Sequence, residues 1–137
     1  MNFNVTFDVL NKNFMISKEN TNISKSLSNE FRYYQGHRGS NDKPENRASG
    51  AYIFRPDGDI TFPLDRITYT ALDKGPLVDE LRITYEGGWL SQIARVYHGE
   101  EAIEIEWVVG PIPVDDGVGK EIIALYCTDI PTQTAAK

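Results

Sequence analysis

Four groups of residues have the types and spacing from which chemistry could be built. Glu104 and Glu106 stand two apart, so in a strand they share a face with Cα atoms ~6.6 Å apart. That is near the ~5 Å separation of nucleophile and proton donor that hydrolysis of a glycosidic bond with retention requires. They occupy the parity opposite Ile103, Ile105 and Trp107, however, which marks them as solvated charges on the open face of a sheet. Asp115 and Asp116 are adjacent, so their side chains diverge, and acidic residues after Pro113 are ordinary turn formers. His37 and His98 have no partner at metal-ligand spacing. Gly117-Val118-Gly119-Lys120 resembles the end of a phosphate loop, but Val114 stands where the first Gly is needed and Glu121 where Ser or Thr would bind magnesium. The residues therefore predict no catalytic group, no metal ligand and no bound cofactor within this chain.

Aromatic side chains are the remaining candidates, because an apolar ring with a polar tip can stack on a sugar. Trp89, Trp107, Tyr33, Tyr34 and Tyr52 qualify by type. Trp107 shares the parity of Ile103 and Ile105 and is expected in the core. Trp89 follows a Gly-Gly turn near the surface, where core or interface packing still competes with ligand stacking, and the pattern around Tyr52 leaves its role open. Cys127 is alone, so no internal disulfide can form, and its apolar neighbours predict a buried small hydrophobe. Two sequons, at Asn4 and Asn22, would accept N-glycans in a secretory compartment.

The elements that must position these residues read as strands. Phe3, Val5, Phe7 and Val9 alternate with polar residues, and Asn11-Lys12-Asn13 breaks the pattern before Phe14-Met15-Ile16, which predicts a hairpin. Residues 17–30 are polar, Phe31–Tyr34 is the next strand candidate, and residues 35–47 are a long aperiodic loop of the kind that is mobile, functional or both. Ala51–Arg55 reads as extended and Pro56-Asp57-Gly58-Asp59 as a turn. Alternation then resumes at Ile67–Ala71. Leu77–Tyr85, Trp89–Tyr97 and Ile103–Val109, joined by Glu86-Gly87-Gly88 and His98-Gly99-Glu100, predict an antiparallel meander. Lys120–Cys127 offers a fourth strand beyond the corner Gly110-Pro111-Ile112-Pro113. No stretch has helical periodicity and no repeat recurs, so the predicted class is all-β with antiparallel, sandwich-like sheets.

At 137 residues the chain has the size of one domain, and its net charge of −6 opposes binding to nucleic acid or to an anionic membrane. No apolar run approaches the ~20 residues that span a bilayer, and the opening residues lack the pattern of a signal peptide.

Several motifs carry a resemblance. Ala48-Ser49-Gly50-Ala51-Tyr52-Ile53-Phe54-Arg55-Pro56, then Ser91-Gln92 with Arg95-Val96-Tyr97, then Glu104-Ile105-Glu106-Trp107-Val108-Val109-Gly110-Pro111-Ile112-Pro113-Val114, and finally Gly119-Lys120-Glu121 occur in an order and spacing similar to the β-domain of lysosomal-type α-mannosidases of glycoside hydrolase family 38. The match is strong over residues 31–128, looser over 1–30, and leaves 129–137 as a tail, all within one segment of a larger β-supersandwich. The resemblance implies a non-catalytic segment, inactive alone, of a zinc-dependent retaining enzyme that releases terminal α-D-mannose from N-glycan oligosaccharides. Zinc, its ligands and both catalytic carboxyl groups would lie in a catalytic β/α domain outside this chain, which would be its partner. It implies that Tyr52 touches the bound mannose, and it implies a lysosomal, vacuolar or secreted setting. A free-standing carbohydrate-binding or protein-interaction module of the same fold is the alternative.

Overall fold

The computed structural model describes residues 3–131, and nine strands and one short 3-10 turn make up its regular structure among them. The class is all-β: two antiparallel sheets in a sandwich architecture, as the alternating patterns predict. The strands are β1 (Phe3–Asp8), β2 (Asn13–Lys18), β3 (Ser24–Gly36), β4 (Pro56–Pro63), β5 (Ile67–Lys74), β6 (Val78–Tyr85), β7 (Leu90–Tyr97), β8 (Glu104–Val109) and β9 (Lys120–Thr128). One sheet runs β1-β2-β3-β4 with β9 also paired to β3, and the other is the meander β5-β6-β7-β8.

The chain divides into two compact units, one of residues 1–30 with 125–137 and one of residues 31–124. In the first, β1 and β2 form the expected hairpin with Phe7 opposite Phe14 and Val5 opposite Ile16. The Phe7 and Phe14 ring centroids lie 4.8 Å apart, and Phe14 is fully buried. The turn is set by Asp8, whose carboxylate accepts from the backbone N–H of Leu10 and Asn11 and from the Asn11 side chain at 2.6 Å. Those bonds, the Asn11 side chain first, hold the Asp8 carboxyl below the usual carboxylate range.

In the second unit, Phe31, Ile83, Tyr85, Leu90 and Ala94 are the buried apolar residues. Phe31 of β3 meets the edge of Tyr85 of β6 at 5.3 Å and lies 5.3 Å from Trp107 of β8, so one ring from the first sheet locks onto two strands of the second. Gln92 is buried among these side chains, and none of its carboxamide atoms hydrogen-bonds a protein group.

Three expectations need correction. Ala51–Arg55 is not a strand: polar side-chain and backbone bonds fold it into a turn, and β4 begins only at Pro56. Pro56-Asp57-Gly58-Asp59 accordingly opens β4 rather than separating strands. Its breaker residues are absorbed as an irregularity between the pairs Gly36–Pro56 and Tyr34–Thr61, with Gly58 at φ +81°. Lys120–Cys127 does not extend the meander. The corner at Gly110, φ +128°, carries the chain to the other sheet, where β9 pairs β3, and β5 supplies the fourth meander strand.

Removing the Phe31 ring should be costly: Phe31→Ala is expected to lower unfolding stability by about 3–5 kcal/mol, as read by urea denaturation. Gln92→Met keeps the volume and removes both unpartnered amide atoms. It should leave stability unchanged or raise it by up to about 1–3 kcal/mol. A clear loss in the same denaturation assay would contradict this.

Candidate functional site

Tyr52 sits at the tip of a loop closed by its own backbone. His37 N–H donates to Arg55 O at 2.8 Å, Ser49 N–H to His37 O at 2.7 Å, and Gly50 N–H to Ile53 O at 3.0 Å. Arg55 N–H donates to Ser49 Oγ at 3.0 Å, and the Arg55 guanidinium donates to Pro44 O at 3.2 Å. Farther along, Asn41 Oδ1 accepts from Ala48 N–H at 3.0 Å, and Asp42 accepts from Ser40 and Asn46 side chains, Ser40 first in lowering its carboxyl below the usual range. The segment is stitched by side-chain-to-backbone bonds, which carry no hydrophobic period. At its tip Tyr52 is 99% exposed and Ile53 is 66% exposed, so Tyr52 does not pack with Phe54 on a shared strand face.

The other candidates are engaged elsewhere. Glu104 and Glu106 are exposed and both bind one guanidinium, Arg95 Nη1, at 3.1 and 2.7 Å. Arg95 Nε also lies 3.4 Å from Glu80, and together, with Glu106 contributing most, these carboxylates raise its affinity for the proton. The register places Asp73, Glu80, Arg95 and Glu104 in one row across the meander. Arg95 is the hub that inspection of paired carboxylates missed. Counting residues back from the two turns would have set it opposite Glu80 and Glu104.

The two histidines lie apart in different loops. His37 Nδ1 is 3.3 Å from Asp57 Oδ1, and His98 lies between Asp79 Oδ1 at 3.2 Å and Pro76 O at 3.1 Å. Zinc needs a converging set of such donors, and no group of three His, Cys, Asp or Glu gathers among the described residues. The described residues of this chain do not fit that ion. Lys120 Nζ is likewise occupied: it donates to Pro113 O at 2.8 Å and to both Asp116 oxygens at 3.0 and 2.8 Å, beneath the loop it closes.

Tyr33 stacks on Phe62 with centroids 5.2 Å apart, under the Lys120 ammonium, and is structural. Tyr34 is half-buried, and Trp107 keeps 37% of its surface exposed while its ring contacts Phe31. Trp89 is half-buried beside the turn at Gly87 and Gly88. Cys127 is exposed, contrary to expectation, because Tyr126, Cys127 and Thr128 at the end of β9 carry no covering layer among the described residues. Asn4 and Asn22 are exposed in β1 and in the turn before β3, as attachment of a glycan would require.

The fold and the loop geometry define an antiparallel β-sandwich domain that presents neutral aromatic groups from its loops. Residues 4–137 match the C-terminal domain of glycosyl hydrolases family 38, and the chain belongs to that family. It is 39% identical over 140 residues to an alpha-mannosidase of Arabidopsis thaliana, covering 96% of this chain and 13% of that protein. It is 40% identical over 118 residues to the lysosomal alpha-mannosidase of Cavia porcellus and 38% identical over 118 residues to that of Homo sapiens, in each case covering 86% of this chain and 11% of the relative. The chain thus spans 10–13% of the length of the curated relatives it matches.

The Lys120 anchor has a pH signature. Its hydrogen bonds, followed by that from Val118 N–H, hold the Asp116 carboxyl below the usual range. A lowered folded value means that the contribution to stability is present above the unfolded value, about 3.9, and fades as pH falls through the folded one. Carbon NMR should therefore find Asp116 titrating below about 3.9, and Lys120→Met should move the midpoint back toward that value.

Proposed function

We propose that the chain is a non-catalytic β-domain segment of a zinc-dependent retaining α-mannosidase that removes terminal α-D-mannose from N-glycan oligosaccharides. Its role is to help frame the substrate site beside a catalytic β/α domain. The family match over residues 4–137 carries this reading. The names of the relatives support the substrate class, and the lysosomal relatives support an acidic lysosomal or vacuolar setting in which the sequons at Asn4 and Asn22 would be glycosylated.

Within this reading Tyr52 is the residue that reaches the sugar. A phenol offers one donor and one acceptor without adding charge, and the exposed loop tip leaves the hydroxyl available for a substrate bound mainly by other residues. Chemistry at the anomeric carbon belongs to residues outside this chain. Glu104 and Glu106, the pair considered for its spacing, are tied to Arg95 on an open sheet face.

Two measurements test the proposal. The purified chain, supplied with zinc and an aryl α-mannoside, should release no phenol above the blank, and turnover would overturn the non-catalytic role. In the longer enzyme, Tyr52→Phe should lower kcat/KM by the value of one lost hydrogen bond, roughly 0.5–1.5 kcal/mol. Thermal stability should not change, because the side chain packs on nothing. Unaltered kinetics would remove Tyr52 from the site.

A further inference from the structure

A second place in the unit of residues 31–124 has the chemistry of a sugar site. Between the connection from β4 to β5 and the turn from β6 to β7 lies an open groove of about 270 Å³, with Asp65, Arg66, Tyr85, Glu86, Gly87 and Trp89 in its lining. That volume falls just below the roughly 300–1,000 Å³ of sites for drug-sized ligands, which limits the occupant to a group the size of one small ring.

The walls are fixed rather than improvised. Glu86 N–H donates to Arg66 O at 2.8 Å, tying the two sides together, and Gly88 N–H donates to Tyr85 O at 3.0 Å within the turn. Gly87, at φ +82°, has no Cβ, and a Cβ there would lie 2.8 Å from Cδ1 and Nε1 of the Trp89 indole. The ring therefore rests against the glycine backbone, in a position that any other residue would displace. Trp89 O accepts from Gly110 N–H at 2.7 Å, which holds its backbone from the far side. At the rim, Arg66 Nη1 donates to Glu86 Oε1 at 2.8 Å, and both side chains are largely exposed.

This combination selects among occupants. The rim carries two carboxylates and one guanidinium, so an anion such as phosphate meets net negative charge. A wholly apolar plug would strip water from the Arg66–Glu86 pair without replacing its hydrogen bonds, which is costly. A pyranose satisfies both parts: its C–H face covers the indole, while its hydroxyls accept from the guanidinium and donate to the carboxylates.

We infer that this groove binds one pyranose ring of an oligomannose chain. The sugar class follows from the groove itself, and the choice of mannose rests on the α-mannosidase reading above. Trp89, Arg66 and Glu86 are the contacts, and Tyr52 is not among them.

Proton–nitrogen NMR of the Trp89 indole N–H during titration with α-linked mannobiose tests this in the 137-residue chain and in the longer protein that contains it. A saturable shift is expected in both. It should weaken at least tenfold in Arg66→Ala and in Glu86→Ala, whose exposed side chains leave the core intact, and stay unchanged in Tyr52→Phe. The inference is overturned by no shift, by a shift that survives both rim variants, or by a shift confined to the 137-residue chain, which would mean that polypeptide covers the groove in the longer protein. A failed titration alongside intact α-mannosidase activity of the longer protein would sink the groove alone. Absence of that activity with saturable mannobiose binding would sink the enzyme reading and leave the groove standing.

Discussion

The contact of Phe31 with Tyr85 and Trp107 is the constraint from which the larger unit is built. It joins the two sheets through one fully buried ring, in tilted and edge-on geometries that suit aromatic quadrupoles. Its consequences run outward along the backbone. Phe31 O accepts from Leu64 N–H at 2.8 Å, which fixes where β4 ends, and Arg66 O, two residues on, accepts from Glu86 N–H at the end of β6. The groove beside Trp89 thus inherits its shape from the core through two backbone hydrogen bonds. Its geometry does not depend on a free loop.

How much of this was legible depended on which force set each segment. Where one face is buried and the other wet, period-2 alternation is imposed, and β1, β6, β7 and β8 follow from the residues. The first half of β3 was less visible, because Ser24, Ser26 and Ser28 alternate with Lys25, Leu27 and Asn29 and offer little apolar contrast. β4 was shifted because Pro and Gly signal a break in the backbone without saying whether it becomes a turn or an irregularity inside a strand.

The loop that carries Tyr52 was illegible for a different reason. Residues 37–55 are shaped by Asn41, Ser49 and Arg55 bonding to backbone groups and by Asp42 bonding to the Asn46 side chain, and such bonds depend on three-dimensional closure rather than spacing. The resemblance nominated Tyr52 and the residue pattern placed it in an extended run, whereas the loop leaves its ring almost wholly in solvent. Arg95 was overlooked because its importance lies in cross-strand register, which appears only when β6, β7 and β8 are aligned through their turns.

These observations divide the labour between charged and neutral groups. The charged residues that invited catalytic readings are consumed within the structure: Glu104 and Glu106 by Arg95, Asp116 by Lys120, and His98 by Asp79 and Pro76 O. An ion pair whose partners already satisfy each other has little left to offer a reacting bond, and in an exposed setting it contributes only modestly to stability. The phenol of Tyr52 instead stands in solvent at a loop tip, and the indole of Trp89 rests against the glycine turn at Gly87. Neutral sugars are bound through C–H faces and hydroxyls, so exposed aromatic groups of this kind supply the recognition chemistry on which the proposed role rests.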